Sequence, residues 1–451
     1  MGFDGLVMSD FFYGTRDTVK AAMGGLDIEM PTGRFFGKRL LRAVRRGEVP
    51  QKLVDEAVTR ILRQKARFAE IGDPAGYPRK KVACREHRDL AREAACKSMV
   101  LLKNESGALP LRAEKVMSIA VIGELAKAAN LGDHGSSRVR PPYAVTPFQG
   151  IRERAGKSMT VKYCSGRDAA KAARIAAHAD AAILVVGLTY KDEGEAMPFL
   201  KLGGDREDLA LPAEQVELIE AVSSVNKRCV VVVEGGSAVI MESWKDKVQA
   251  ILMAWYPGME GGHALAAILF GDQNPCGKLP LTFPRSSRQL PPFDKKARSM
   301  EYGYYHGYRL LDKEGQEPAF PFGFGLHYTT YAYSNLRLSA KEIAEDDVLR
   351  VSADISNTGY MAGCEIAQLY VGYVGSSLDR PVKELKGFAR VHLDAGEKKT
   401  VAFEILASDL AYYDASSNSW QIEDMEYQVY VGSSSRWEDL VLRDAFRVRC
   451  S

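Results

Sequence analysis

Residues 181–188 read AAILVVGL, eight positions with no charged or polar side chain among them. A strand with one wet face alternates apolar and polar residues. An unbroken apolar run therefore fits a strand covered on both faces, as in a parallel sheet held between helices. Working outward, SIAVIG (118–123), CVVVVEGG (229–236) and AILMAWYPG (250–258) have the same texture. Between them PAEQVELIEAVSSV (212–225) and EGGHALAAILFG (260–271) carry helical spacing. Strands and helices in alternation predict a mainly parallel sheet with helices on both sides.

The texture changes toward both ends. In LRVSADIS, Leu349, Val351, Ala353 and Ile355 alternate with Arg350, Ser352, Asp354 and Ser356, the period of a half-buried antiparallel strand. EIAQLYVGY (365–373), KKTVAFEI (398–405), EYQVYVGSS (426–434) and DAFRVR (444–449) continue the pattern between turn-rich segments. Roughly 100 residues of this kind predict a β-sandwich of immunoglobulin or fibronectin type III type. Toward the N-terminus, FDGLVMS (3–9) reads as a buried strand and TRDTVKAAMG (15–24) as a helix closed by Gly24 and Gly25. LDIEMP (26–31) reads as a second short strand. Residues 34–46 and 51–70 have helical periodicity, the latter with Leu53, Ala57, Ile61 and Leu62 on one face. IGDPAGYPRKK (71–81), rich in Gly, Pro and charge, reads as a linker. Three domains are expected: 1–72, 73–330 and 331–451.

Composition narrows the partners. The net charge of +3 comes from 61 basic and 58 acidic residues, interspersed along the chain, which points to neither a nucleic-acid nor a membrane-surface partner. The seven cysteines are far apart and contain no CxxC spacing of the zinc or redox type. No apolar run approaches the roughly 18 residues of a membrane span. The first residues lack a basic stretch followed by a long apolar core. The compartment stays open between cytoplasm and periplasm.

In parallel α/β folds functional groups collect past the carboxyl ends of strands. That rule selects Ser9-Asp10 and the loop KDEGE (191–195), which holds Asp192, Glu193 and Glu195. Asp10 has a second reading as a helix cap or turn residue, like Asp17 nearby, and the acidic loop as a solvated turn. Taken as a pair they suit glycoside hydrolysis, which needs two carboxyl groups flanking one bond. GxSxG, GxxxxGK[ST] and HExxH are absent from the sequence, and the seven histidines are too scattered to suggest a metal site. His134 in GDHGSS reads as structural, and PGMEGG (257–262) as tight strand-to-helix packing rather than a phosphate loop.

GFDGLVMSDFFYGTRDTVKAAMGGLDIEMP (2–31), LGDHGSSRVRPPYAVTPFQGI (131–151), GDREDLALP (204–212), AWYPGMEGGHALAAILFGDQNPCGKLPLTFP (254–284), GYRLLDKEGQEPAFPFGFGLHYTTYAYS (307–334) and RPVKELKGFARVHLDAGEKKTVAFEI (380–405) follow one another in order. Together they resemble glycoside hydrolase family 3, the β-glucosidase family. The resemblance implies a remnant of a (β/α)8 barrel, an (α/β) sandwich domain and a C-terminal fibronectin type III-like domain. It implies Asp10 as nucleophile at the end of the seventh barrel strand. It also implies a glutamate of the second domain as acid/base, in an EG ahead of DR and LxLP. Glu193-Gly194, ahead of Asp205-Arg206, takes that place, with Glu195 as runner-up. Phe11 stands where the family commonly has Trp, keeping an aromatic face for the substrate without the indole N–H.

The implied activity is retaining hydrolysis of terminal β-linked glucosyl residues in small glucosides or oligosaccharides, with no metal or organic cofactor. The earlier barrel strands, which grip the sugar hydroxyls, have no counterpart in the sequence. An impaired chain is therefore expected, with a separate barrel-half chain or a second copy as partner. The alternatives are a β-xylosidase or α-arabinofuranosidase of the same family, and a non-catalytic carbohydrate-binding or interaction protein. An N-acetylglucosaminidase is disfavoured, because that branch takes its acid from a barrel histidine loop not present in the sequence.

Overall fold

The computed structural model describes residues 3–71, 78–195, 204, 206, 208–294 and 297–450. The chain divides between Val82 and Ala83 into two units, each taken by itself.

The first unit contains helices α1 (Thr18–Met23), α2 (Lys38–Arg45) and α3 (Gln51–Ile71). Asp17, not Asp10, caps α1: its carboxylate accepts from Lys20 N at 2.8 Å. The helix ends at Gly24, and Gly25 follows at φ +87°. Ala22, Ala43 and Val49 form its small core. The segments expected as two strands meet in one parallel bridge, Met8 to Ile28. Phe3, Val7 and Met8 are exposed and only Ser9 is buried, so the expectation of a buried strand over 3–9 fails. Among the described residues nothing pairs with the other edge of this segment, and a lone strand contact cannot bury both faces. On α3, Leu53, Ala57 and Ile61 are half-buried, but Leu62 lies 58% exposed. Asp27 anchors the unit, accepting from Val7 N at 2.8 Å and from Arg60 of α3 at 2.8 and 3.0 Å.

The second unit opens with α4 (Arg85–Ser98), followed by β1 (Val100–Asn104), β2 (Ser118–Ile122), α5 (Pro147–Ala155), β3 (Thr160–Cys164), α6 (Ala169–Ala177) and β4 (Ala181–Gly187). Then come α7 (Tyr190–Glu193), α8 (Ala213–Ser223), β5 (Cys229–Glu234), β6 (Ala250–Met253), α9 (Gly261–Leu269) and α10 (Gly307–Glu314). The six strands run in the order β1-β6-β5-β4-β2-β3, parallel except for β1 at the edge.

The apolar run at β4 is explained by two separate cores. Ala181, Ile183 and Val185 face one core with α4, α5 and α9. Ala182, Leu184 and Val186 face the other with α6 and α8. At about 25 cal/mol per Å² of apolar surface, burying both faces makes this strand a main source of the domain's stability. The edge strands β1 and β3 were not singled out in the sequence, because VLLKN and TVKYC mix apolar and polar residues.

The remaining strands are β7 (Tyr331–Leu338), β8 (Glu342–Ala344), β9 (Val348–Asn357), β10 (Gly363–Gly372), β11 (Lys383–Leu393), β12 (Lys398–Leu406), β13 (Tyr412–Asp414), β14 (Ser419–Gln421), β15 (Glu426–Gly432) and β16 (Leu442–Arg449). A five-stranded sheet, β11-β10-β15-β16-β8, packs on a three-stranded one, β12-β9-β7. Leu349, Val351, Ala353 and Ile355 all lie in the core between them. Asp354 departs from the alternation: it is buried, accepting from Asn335 and Thr400 at 2.8 and 2.7 Å. The α/β domain and the β-sandwich follow the expected fold classes.

Candidate active site

Asp10 lies in the first unit, two residues past the Met8 bridge. Its neighbour Ser9 ties the turn down: Ser9 N donates to Ile28 O, and Ser9 Oγ accepts from Met30 N, each at 2.9 Å. The Asp10 carboxylate is exposed and accepts from Phe11 N at 2.7 Å. Among the described residues no cation pairs with it. Gly14 closes the turn, since a Cβ there would stand 2.8 Å from Asp10 N. Phe11, Phe12 and Tyr13 are all exposed, and Phe12 adopts φ +63°. This aromatic, acid-bearing turn is a surface on which a sugar ring can stack.

In the second unit the acidic loop follows β4 as the sequence rule requires. Thr189 and Asp192 form a capping box on α7: Thr189 N and Oγ1 donate to Asp192 Oδ2 at 2.8 and 2.9 Å. Asp192 is thereby committed to structure.

Glu193 and Glu195 then part company. Glu193 is nearly buried, its side chain 10% exposed. Its Oε1 accepts from Gly236 N and from Tyr256 OH, the latter at 2.6 Å, and its Oε2 from Ser237 Oγ at 2.9 Å. The Arg206 guanidinium lies 3.8 Å away. Burial, then the adjoining Glu193 carboxylate, push the Tyr256 phenol well above its ordinary value, so it stays a donor. Glu195 is exposed, and only its Oε2 is engaged among the described residues, by Ser136 Oγ at 2.8 Å and Ser136 N at 3.3 Å.

The loop 132–137 supports this arrangement. Asp133 Oδ1 accepts from Glu195 N at 3.1 Å, and its Oδ2 from Gly135 N and Ser137 Oγ. His134 stacks on Tyr190 with ring centroids 3.6 Å apart, a packing role. Arg206 donates to Ser237 Oγ and Ala238 O at 2.7 and 2.8 Å, whereas Asp205 lies outside the described residues. Asp133, Ser136, Ser237 and Tyr256 were not picked out in the sequence. The signal for them was spatial: each sits at the end of a different strand or in a loop brought over the sheet.

Behind the loop, Glu234 at the end of β5 is fully buried and accepts from Asn130 Nδ2 at 3.1 Å. Burial pushes its carboxyl up to about 8, against the effect of that hydrogen bond. PGMEGG behaves as packing. A Cβ on Gly262 would stand 2.2 Å from Thr146 O, and one on Gly150 of α5 only 2.0 Å from Gly262 O.

Fold and site together define a class: an α/β domain carrying acidic loops at its strand ends, followed by a fibronectin type III-like sandwich. Residues 99–328 match the family described as Glycosyl hydrolase family 3 C-terminal domain, and residues 365–435 match the Fibronectin type III-like domain. Thermostable beta-glucosidase B of Acetivibrio thermocellus is 38% identical over 464 residues, covering 99% of this chain and 59% of that protein. A Beta-xylosidase of Formosa agariphila is 33% identical over 478 residues, covering 98% and 64%. The crystal structure of Beta-D-glucoside glucohydrolase from Trichoderma reesei superposes with a TM-score of 0.87 at 32% identity, over 99% of this chain and 68% of that one. The chain belongs to glycoside hydrolase family 3. It spans 59% of the length of the Acetivibrio relative.

Proposed function

We propose that the chain carries both catalytic carboxyl groups of a retaining β-glucosidase: Asp10 as nucleophile, and Glu195 as acid/base. Glu193 is the positioning residue of the acid/base loop. The observation that carries this reading is that each unit presents an exposed carboxylate, held by its own loop and paired with no cation among the described residues. Glu193 comes first in the sequence pattern, but its oxygens are taken up by Gly236, Ser237 and Tyr256. A proton donor needs an oxygen free to meet the leaving group, and Glu195 Oε1 meets that need.

In the first step Asp10 attacks the anomeric carbon while Glu195 protonates the departing oxygen. In the second, Glu195 takes a proton from the water that releases the sugar. The two carboxyl groups must stand about 5–5.5 Å apart for this outcome. Phe11 offers the aromatic face for the sugar or aglycone. In this reading residues 1–72 belong to a (β/α)8 barrel, 73–330 to the (α/β) sandwich and 331–451 to the fibronectin type III-like domain. In the same reading, the Met8–Ile28 bridge and helix α1 are the trace of one strand–helix–strand turn of that barrel. The hydroxyl contacts that stabilise the transition state come from further strands, so the chain alone turns over poorly.

The experiment is hydrolysis of aryl and alkyl β-glucosides by the chain, alone and supplemented with the barrel half of a family 3 β-glucosidase. Supplementation is expected to restore turnover with retained configuration. Asp10→Asn is expected to abolish it. Glu195→Gln is expected to lower alkyl glucoside turnover by about 10²- to 10⁴-fold while sparing a dinitrophenyl glucoside, whose leaving group needs no proton. Sugar binding without hydrolysis in either preparation would instead identify a carbohydrate-binding protein. The Formosa relative carries the name Beta-xylosidase, so aryl β-xyloside and α-arabinofuranoside belong in the same panel.

A further inference from the structure

The cysteines are scattered in the sequence, yet two of them meet where the α/β domain adjoins the β-sandwich. Cys276, in the loop after α9, is buried, and Cys364 at the start of β10 is half-buried. One nitrogen, Arg390 Nη2, contacts both sulfurs, at 3.5 Å to Cys276 and 3.2 Å to Cys364. His392 Nδ1 lies 3.6 Å from the Cys364 sulfur. The pairing of β10 with β11 produces this cluster, setting His392 opposite Cys364 and Arg390 opposite Ile366. Asn274 Nδ2 donates to Ala362 O at 3.1 Å, and a Cβ on Gly363 would meet that Asn274 side chain at 2.6 Å, so the two segments are closely fitted. A cavity of about 500 Å³, with Arg92 and Lys97 in its wall, opens beside the sulfurs and admits a small polar molecule.

We propose that Cys276 and Cys364 form an oxidant-reactive dithiol, which hydrogen peroxide closes to a disulfide joining the α/β domain to the β-sandwich. The thiolate is the reactive form of cysteine. The hydrogen bond from Cys276, then those from His392 and Arg390, together with the Arg390 charge, draw the Cys364 thiol down, against its burial. Cys276 shifts the other way and keeps its proton. Cys364 is the attacking sulfur and Cys276 the resolving one.

In the first step the Cys364 thiolate attacks one peroxide oxygen. An S–O bond forms, the O–O bond breaks, and the hydroxide released takes up a proton to leave as water. Cys364 is now a sulfenic acid, oxidised by two electrons. The Cys276 sulfur then attacks the Cys364 sulfur. The S–S bond forms, the S–O bond breaks, and the hydroxyl departs with the Cys276 proton as a second water. Two thiols and one peroxide give one disulfide and two waters. Arg390 is a positioning residue that holds both sulfurs and the thiolate charge.

The oxidation is tested on the full wild-type chain and needs no variant to fold. The reduced protein is treated with hydrogen peroxide, digested without reductant and mapped by mass spectrometry. The expected product is one cross-link, Cys276 to Cys364, with Cys84 still free. Before oxidation, iodoacetamide at neutral pH is expected to label Cys364 about tenfold faster than Cys84. Arg390→Met is expected to slow labelling of Cys364 and leave the Cys84 rate unchanged. Equal labelling of Cys364 and Cys84 would overturn the proposal. So would peroxide oxidation of Cys364 to sulfinic acid with no bond to Cys276.

Discussion

Glu193 and Glu195 stand two residues apart and meet opposite surroundings, and the difference can be measured without any assay of turnover. Glu193 faces three donors, Gly236 N, Ser237 Oγ and Tyr256 OH. An amide in its place turns an NH2 toward groups that can only donate or must reorient. Glu193→Gln is expected to lower stability by about 1–3 kcal/mol in urea unfolding, and Glu195→Gln, at an exposed position, to change it by under about 0.5 kcal/mol. Glu234 offers a second test at this scale. Its carboxyl titrates at about 8 when folded, against 4.5 without burial. The folded state therefore holds a proton that the unfolded chain releases. The stabilisation is complete below pH 4.5, is lost as pH rises toward 8, and is constant above. Thermal unfolding of Glu234→Gln across pH 5–8 is expected to show a flatter slope than the wild type. An unchanged slope would mean that Glu234 is ionised in the fold.

The acidic loop works as an element because α7 is only four residues long and depends on its capping box. Asp192→Ala removes the acceptor for Thr189 N and Oγ1. It is expected to cost about 1 kcal/mol in urea unfolding. The helix pair α5 and α9 shows the same dependence on fine geometry. Gly150 and Gly262 let the two backbones approach so closely that a methyl group on Gly150 would overlap the Gly262 carbonyl. Gly150→Ala is expected to destabilise by about 1–3 kcal/mol or more, read from the shift in urea midpoint. This packing reading of PGMEGG was legible in the sequence, since glycines opening a helix serve close approach as readily as phosphate binding. The segment 3–9 was legible only in part. Its apolar residues fit a strand, but strand burial depends on neighbours, and the described residues supply one bridge.

At the scale of the molecule, the α/β domain and the β-sandwich are joined by buried charge. Lys383 of β11 has no exposed surface, sits 2.6 Å from Asp312 of α10, and lies over the Trp437 ring at 4.0 Å. Burial pulls the lysine down and pushes the aspartate up, and each partly restores the other. Lys383→Met leaves Asp312 without its cation. It is expected to cost about 3–5 kcal/mol, whereas Lys383→Met with Asp312→Leu recovers most of that in the same chemical denaturation series. Failure of the double variant to recover would show that the pair does more than neutralise itself. A second such join runs from Glu365 of β10 to Lys278 at 3.2 Å, and Tyr333 OH, from β7 of the sandwich itself, donates to the same carboxylate at 3.1 Å.

The sequence by itself determined the layers. The unbroken apolar run of β4 requires cover on both faces, the alternation of β9 requires one wet face, and acids past strand ends mark where chemistry can occur. Periodicity carries this information because each residue's burial follows from its own element. Only the tertiary structure decided which glutamate of the 191–195 loop has both oxygens anchored and which is held through one oxygen alone among the described residues. The deciding partners, Ser136, Gly236, Ser237 and Tyr256, are tens of residues away and reach the loop through the sheet. The same holds for Cys276 and Cys364, 88 positions apart in the chain, whose meeting depends on how one domain is seated against the next.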